Sequence, residues 1–298
     1  MRAMTDWVGR DEGPDGDRAS VREAFSLLAH DIRLDIVLAL LENWAAVYTE
    51  PQSYSDLMDA VGMRDSGKFN YHLDKLRGVY VEQVEDGYVP TASAVALYRT
   101  VLAHRPAETT TEAGELDEPC PHCGGTLVEQ YERSFFTLDC TDCDNWDLLT
   151  YVFPKNGLRN RAGQERYRAV EYRADYHTGL ARTGQCPFCA GPVTFHFDPE
   201  DVEGTPPLVG ITCDTCTWHV GVSLLTPLQF VPRVAAALVD LGIEPPVVEA
   251  DNVVEMAAEI RSEEPFRVGL DITSEEGTAT IVVDDDLDVH SVDVRTDG

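Results

Sequence analysis

Between Asp65 and Leu76 the apolar residues Phe69, Leu73 and Leu76 recur at i, i+4 and i+7, while Lys68, Asn70, Tyr71 and Lys75 take the remaining surface. That spacing predicts a short amphipathic helix, capped by Asp65 or Ser66, with Gly67 in its first turn leaving room for a close neighbour. Upstream, Val21–Leu41 carries helical apolar spacing broken at His30-Asp31, where Asp31 is placed to cap a second helix. Ser55–Val61 predicts another short helix with Ser53 or Ser55 as cap, and Gly62-Met63 turns the chain into the segment above. Downstream, Val79–Pro90 alternates about an Asp86-Gly87 turn, the pattern of a hairpin. A helix from Thr91 to about His104 begins on a threonine cap and carries Val95, Leu97, Tyr98, Val101 and Leu102, a face broad enough for its own domain and a partner subunit.

The order helix, turn, helix, hairpin, helix resembles the ArsR-type winged helix-turn-helix regulators, and within them the winged-helix regulators of halophilic archaea. The resemblance is carried by AFSLLAHDIRLDIVLAL, SDLMDAVGM, FNYHLDKL and VYVEQVEDGYVPTASA, and covers roughly residues 19–104. It implies a homodimer that lays the Asp65–Leu76 helix in the major groove of double-stranded DNA. By position, Ser66, Lys68, Asn70 and Tyr71 would face bases, Lys75 and Arg77 would lie near phosphates, and His72 would sit between core and backbone. The chain departs from the group's soft-metal sensors, because no cysteine precedes Cys120, so that sensing activity is not carried over. The hairpin is also acidic, and Glu82, Glu85 and Asp86 are expected to be solvated rather than on DNA.

Charge changes the picture next. The 298 residues hold 53 Asp and Glu against 23 Lys and Arg, a net charge of -30, and the lysines are confined to Lys68, Lys75 and Lys155. Such a surplus of carboxylate over lysine resembles proteins adapted to molar salt. A charge of -30 ordinarily opposes nucleic-acid binding, which is mainly electrostatic. At molar salt the Debye length shrinks to about 3 Å, which screens repulsion beyond contact and weakens counterion release as well. A DNA reader in such a cytosol depends on base contacts and fit. Arg64–Arg77 supports this locally, with Arg64, Lys68, Lys75 and Arg77 against two acids. No run of about 20 apolar residues is present, and the acidic N-terminus lacks the parts of a signal peptide, so the expectation is a cytoplasmic chain with no membrane partner.

The chemistry lies further on, past the polar, acidic stretch between His104 and Pro119, which reads as a linker. All eight cysteines form four Cys-x2-Cys pairs: Cys120/Cys123, Cys140/Cys143, Cys186/Cys189 and Cys213/Cys216. CPHCGG at Cys120 matches CPFCAG at Cys186, and CTDCDNW at Cys140 matches CDTCTW at Cys213, with strand-like residues between the knuckles of each copy. The pattern is a duplicated zinc ribbon, with four thiolates closing a tetrahedral shell around each of two structural Zn2+ ions. Proline at Pro121 and Pro187 preorganises the tight turn, and Gly124 or Ala190 lets backbone amides approach sulfur. A cytoplasmic disulfide framework or a thioredoxin-like pair fits four matched motifs poorly, whereas iron–sulfur ligation shares the donor set. His122, His196 and His219 are read as surface or core residues, and Trp146 and Trp218 as aromatic cover for each metal-centred core.

Between the ribbons, residues 155–182 hold seven basic side chains against Glu165, Glu171 and Asp175, with a helix over Gln164–Asp175. This island either touches DNA flanking the half-site or pairs with acidic surfaces of its own chain, the second being favoured. After the second ribbon, Pro227–Leu241 predicts a helix ended by Gly242, Asp251–Ser262 a further helix, and Phe266–Thr273, Thr278–Asp284 and Leu287–Arg295 a three-stranded meander.

The expected fold is therefore α+β: an N-terminal winged helix followed by two tandem four-cysteine zinc ribbons and a C-terminal helix plus β-meander. The layout is an acidic disordered lead-in at 1–18, the winged helix at 19–104, a linker at 105–118, ribbons at 119–154 and 183–226 about the 155–182 connector, and the C-terminal region at 227–298. The function expected is sequence-specific transcriptional regulation, with a protein partner open to the ribbon half. The alternative is a zinc-ribbon adaptor, tied to the transcription machinery or RNA, whose winged helix binds protein. A third reading has the ribbons sensing zinc or redox state. Enzymatic activity is not expected, since the chain has no Gly-rich phosphate loop, zincin motif or Gly-x-Ser-x-Gly, and closed thiolate shells do not activate water.

Overall fold

The computed structural model describes residues 15–42, 44–45, 49–105, 112–120, 123–143, 148–197, 208–246 and 255–296. The chain divides into two compact units, one over Asp11–Thr109 and the other over Thr110–Gly298. The N-terminal unit runs α1 (Asp15–Leu27), α2 (Asp31–Leu41), α3 (Tyr54–Ala60), α4 (Ser66–Leu76), β1 (Val81–Val84), β2 (Gly87–Pro90) and α5 (Ala92–His104). Helices followed by a hairpin in this order suggest a winged helix.

Local chemistry sets the boundaries. Ser53, Asp65 and Thr91 cap α3, α4 and α5, each accepting a backbone N–H three residues on. At α2 the cap is His30 and not the expected Asp31: His30 Nδ1 accepts the Ile32 N–H at 3.3 Å. Asp31 instead takes a helical conformation in the first turn, where its charge favours the helix dipole. Ile36, Leu57, Phe69, Leu76 and Val81 are wholly buried and join α2, α3, α4 and the hairpin in one core. The hairpin is tied in by a bridge in which Gln52 and Tyr88 exchange both backbone hydrogen bonds, at 3.0 and 2.9 Å. This approach requires glycine at position 87, whose φ is +151° and whose Cβ would land on the Gln52 carbonyl.

In the C-terminal unit, β3 (Glu112–Pro119), β4 (Thr126–Glu132), β5 (Phe135–Cys140) and β6 (Leu149–Val152) form an antiparallel sheet in chain order. The acidic stretch read as linker up to residue 118 is thus, from Glu112 on, an edge strand paired with β4, as in Glu112↔Tyr131. A 3-10 turn at Lys155–Gly157 leads to α6 (Gly163–Ala181), six residues longer at its C-terminal end than the sequence pattern placed it. The second sheet is β7 (Val193–Phe197), β8 (Leu208–Cys213) and β9 (His219–Ser223), again antiparallel in chain order.

The single helix expected over Pro227–Leu241 is two, α7 (Leu225–Leu228) and α8 (Pro232–Asp240). Pro232 explains the break, for it lacks an N–H and suits the first turn of a new helix. The helix expected over Asp251–Ser262 is corrected to a strand, β10 (Glu255–Glu263), with residues 251–254 outside the described set. Its EMAAEI run has good helix formers, but tertiary pairing with β11 (Phe266–Ser274) overrides that preference. With β12 (Gly277–Val283) and β13 (Val289–Thr296) the meander has four strands, not three.

Val268, Leu270, Ile272, Ala279, Ile281 and Val283 form the inner face of the meander and pack with Val234 and Leu238 of α8 and Val209 and Ile211 of β8. The first sheet has a separate core of Leu127, Tyr131, Phe136, Leu138 and Tyr151, covered by Tyr167 and Val170 of α6. Helix α6 serves both, contributing Ala181 to the other core. Among the described residues no helix is long and apolar enough to cross a membrane.

Candidate metal centres and the exposed helix face

The cysteines converge in two groups, Cys120, Cys123, Cys140 and Cys143, and Cys186, Cys189, Cys213 and Cys216, each with its sulfurs within 4.8 Å of one another. A Zn–S bond of about 2.3 Å places tetrahedral thiolates about 3.8 Å apart. The observed separations bracket that edge: Cys120–Cys143 is 3.9 Å and Cys123–Cys140 3.5 Å, while Cys186–Cys216 is 3.6 Å and Cys189–Cys213 3.5 Å. These are far longer than a disulfide of about 2.05 Å, and they enclose room for one ion rather than a multi-iron cluster. The two sites fit structural Zn2+.

The knuckles are built alike. Cys120 N–H donates to Gly125 O at 2.8 Å and Gly124 N–H to Cys120 O at 2.8 Å; the second copy repeats this with Cys186 to Gly191 O at 2.8 Å and Ala190 to Cys186 O at 2.9 Å. Gly124 and Ala190 take left-handed φ of 75° and 58°, which aims the next amide at sulfur. Gly125 N–H therefore donates to Cys123 Sγ, and Gly191 N–H to Cys189 Sγ, both at 3.4 Å. The following glycine was not singled out from sequence, although its repetition in CPHCGG and CPFCAG was a signal. A Cβ at Gly125 would strike the Asp142 side chain, and one at Gly191 would lie 2.5 Å from Thr215 Oγ1, so both positions admit the opposite knuckle only as glycine.

Amide donors also set thiol acidity. The Asp142 N–H holds Cys140 down at about 7. At Cys213, burial raises the thiol, but the Cys216 and Thr215 N–H groups outweigh it and bring the group to about 7. Donors of this kind favour the thiolate that binds metal. Neither described ring near the knuckles is a ligand: His196 bonds Thr212 Oγ1 at 2.8 Å, and His219 lies 3.3 Å from Thr217 O. Trp218 is buried in the core beside the second site, while Pro121, His122 and Trp146 lie outside the described residues.

In the N-terminal unit, α4 buries Phe69, His72, Leu73 and Leu76. Ser66, Lys68, Asn70, Tyr71, Lys75 and Arg77 are all exposed on its other side. Lys75 Nζ lies 5.9 Å from the Tyr71 ring centroid. Asp74, which the sequence offers only as one of two acids among the basic residues, orders this surface. It accepts Asn70 Nδ2 at 3.1 Å and pairs with Arg77 Nη2 at 2.7 Å, contacts that its i+4 and i+3 spacing made available. Glu82, Glu85 and Asp86 on the hairpin are solvent-exposed.

Residues 117–289 match the family described as Domain of unknown function (DUF7351). The chain belongs to the DUF7351 family. Residues 21–101 separately match Domain of unknown function (DUF7347), which spans the helices and hairpin of the N-terminal unit. No curated protein and no solved structure matches the chain.

The DUF7351 segment takes in both metal centres and α6 between them. Arg166 of α6 bonds Glu112 Oε2 and Glu129 Oε1 at 2.7 and 3.0 Å and donates twice to Arg161 O. Arg182 donates to Leu287 O at 2.7 Å. These members of the basic island are thus engaged with their own chain. Further along α6, His177 links the two ribbons: its Nδ1 is 2.7 Å from Tyr151 Oη of β6, and its ring meets Phe188 of the second knuckle at 5.1 Å. Burial pushes Tyr151 up to about 12 and His177 down to about 4, Arg173 adding to the latter. Tyrosine is then the donor and neutral His177 the acceptor.

Proposed function

We propose that this chain is a dimeric, sequence-specific DNA-binding transcriptional regulator in which two structural zinc ribbons build the C-terminal half. The observation that carries the reading is the division of α4. Its apolar stripe anchors it in the core while Ser66, Lys68, Asn70 and Tyr71 stand exposed, the arrangement a recognition helix needs to reach base edges. Lys75 and Arg77 are placed for backbone phosphates. The similarity of the same residues to haloarchaeal ArsR-type regulators points the same way. Exposed apolar residues on α1 and α5, namely Val21, Phe25, Val101 and Leu102, supply a surface for a second copy. We assign the protein no catalytic role, because a closed four-thiolate shell holds structure rather than activating water.

The adaptor reading keeps one specific support. Tyr172, Tyr176 and Leu180 form an exposed stripe at i, i+4 and i+8 of α6, chemistry suited to a protein contact by the ribbon half.

Genome-wide occupancy in a salt-rich cell, comparing the intact protein with the Lys68→Ala/Tyr71→Ala double variant, tests the two. Sharp sites with a two-fold repeat that vanish in the variant are expected. Occupancy that is broad or absent, and unchanged by the substitutions, would defeat the regulator reading in favour of the adaptor.

A further inference from the structure

At the junction of α2 and α4 the structure gathers basic groups that, among the described residues, make no ion pair with an acid. His30, the N-cap of α2, and His72 of α4 bring their rings to a centroid distance of 4.3 Å at a 49° tilt. His72 is only 4% exposed, and among the described residues neither its Nδ1 nor the buried Nε of Arg33, one turn into α2, has a hydrogen-bond partner. Lys68, one turn before His72 on α4, is exposed. Among the described residues neither the Arg33 nor the Lys68 side chain has a carboxylate within ion-pair distance.

In a chain of net charge -30, carboxylates are abundant. Among the described residues, none of them pairs with Arg33 or Lys68. Asp31 lies beside it at the start of α2 but is exposed, and Asp65 spends its Oδ1 on the Lys68 N–H at 2.9 Å. Burial chiefly, and then the basic neighbours His30, Arg33 and Lys68, hold the His72 pKa below the usual histidine value. The N-terminal end of α2, 11 residues long, adds partial positive charge at the same point.

We propose that His30, Arg33, Lys68 and His72 form a phosphate-binding corner that takes a backbone phosphate of bound DNA, and that His72 gains a proton as the phosphate docks. The assignment rests on the DNA reading above and deepens it by bringing His30 and Arg33 of α2 into a phosphate contact shared with Lys68 and His72 of the recognition helix, which moves Lys68 from base edge to phosphate. Arg33 and Lys68 supply fixed charge at the rim, and His30 joins the site through the ring that caps α2. The His72 imidazole beneath completes the set. A docked phosphate opposes the local field, raising an imidazole pKa that burial and the neighbouring basic groups otherwise hold down. The linkage sign follows: the bound state carries more protons than the free state, so affinity strengthens as pH falls and weakens as it rises. The opposing group in the same field is Asp31, which disfavours an anion and so sets an upper limit on the gain.

The test uses the full-length, zinc-loaded chain in molar potassium chloride, with isotope-labelled histidine followed by NMR. The eight histidines are few enough to assign with His30→Asn, which keeps a capping side chain, and His72→Gln. Inorganic phosphate and a duplex taken from an occupied genomic site are the two probes. The expectation is that both move the His30 and His72 resonances and that Arg33→Gln abolishes the movement. The duplex dissociation constant should also rise roughly threefold or more between about pH 6 and about pH 8 in the parent but not in His72→Gln.

A duplex that binds without moving either resonance, and with the same pH dependence in parent and His72→Gln, overturns the corner while leaving the DNA reading intact. Movement with inorganic phosphate in a chain that binds no duplex overturns DNA as the source and the DNA reading with it, leaving a free-phosphate site.

Discussion

Arg166 Nη1 stands 3.0 Å from Glu129 Oε1, with only 10% and 9% of the two side chains left in solvent. The contact fixes α6 against the first ribbon sheet, and Glu112 of β3 closes on the same guanidinium at 2.7 Å. Burial raises the Glu129 pKa, Arg166 opposes the rise, and Glu112 adds to it. Removing the arginine strands a buried carboxylate.

Arg166→Ala should therefore destabilise the C-terminal unit by about 3 kcal/mol, whereas Glu129→Gln, which keeps an acceptor, should cost about 1 kcal/mol. A carboxyl whose folded pKa lies above its unfolded value prefers the folded state when protonated. The Arg166→Ala deficit is thus largest at neutral pH and shrinks as pH falls through the raised pKa. Denaturant titration of both variants at several pH values checks this, and an equal deficit at every pH would refute the buried-charge explanation.

Zinc content follows from the thiolate geometry. Native mass spectrometry of the full chain should find two ions, and Cys186→Ser should leave one, because each set of four sulfurs closes on a single ion. Chelation should melt the Thr110–Gly298 unit while the helices of the N-terminal unit persist, since that unit has its own apolar core and no cysteine. Iron in place of zinc, or a concerted loss of both units, would contradict the assignment.

The duplicated knuckles contain their own control. Gly124→Ala places alanine where the second copy already holds Ala190 at φ 58°, and should cost about 1 kcal/mol or less. Gly191→Ala puts a Cβ 2.5 Å from Thr215 Oγ1 and 3.3 Å from Cys189 Sγ, and should cost about 2 kcal/mol and weaken zinc retention in the second site. Competition with a chromogenic chelator measures the difference. Equal effects would mean the glycine pair does not set the closeness of the knuckles.

His177 gives a pH signature. Its pKa falls to about 4 in the folded chain through burial, against about 6.5 when unfolded, so the neutral ring contributes stability that is complete above about pH 6.5 and lost as pH falls through about 4. His177→Gln should flatten that part of the stability profile relative to the parent. Thiolate protonation acts on both proteins equally, and the difference between their unfolding midpoints isolates the histidine. A difference that does not change with pH would sink this account.

How far the sequence carried the fold depends on what each residue's neighbours had to supply. Phe69, Leu73 and Leu76 declared a buried stripe, and they are fully buried, because helical period alone places them together. Asp65, Ser53 and Thr91 capped as expected, since a cap needs only the next three residues. The cap of α2 misled, because histidine rarely fills that role and an aspartate stood beside it. EMAAEI in β10 misled for a different reason: its helix propensity is local, whereas its pairing partners in β11 lie further along the chain, in a sheet with one face buried. The linker reading of β3 failed likewise. An acidic edge strand shows no apolar run, and only its hydrogen bonds to β4 and the hidden arginine beneath it give Glu112–Pro119 its form.

The sequence by itself determined the two four-thiolate centres and the order of elements around them. Cysteine spacing and short-range turns are covalent and local, so the chain carries them wherever it folds. Only the tertiary structure decided that α6 is a shared strut, that Arg166 is buried on two glutamates, and that the His30 and His72 rings meet near Arg33 and Lys68. Those relationships join residues far apart in the chain, and they exist because packing, and not periodicity, sets which distant side chains share a dry interior.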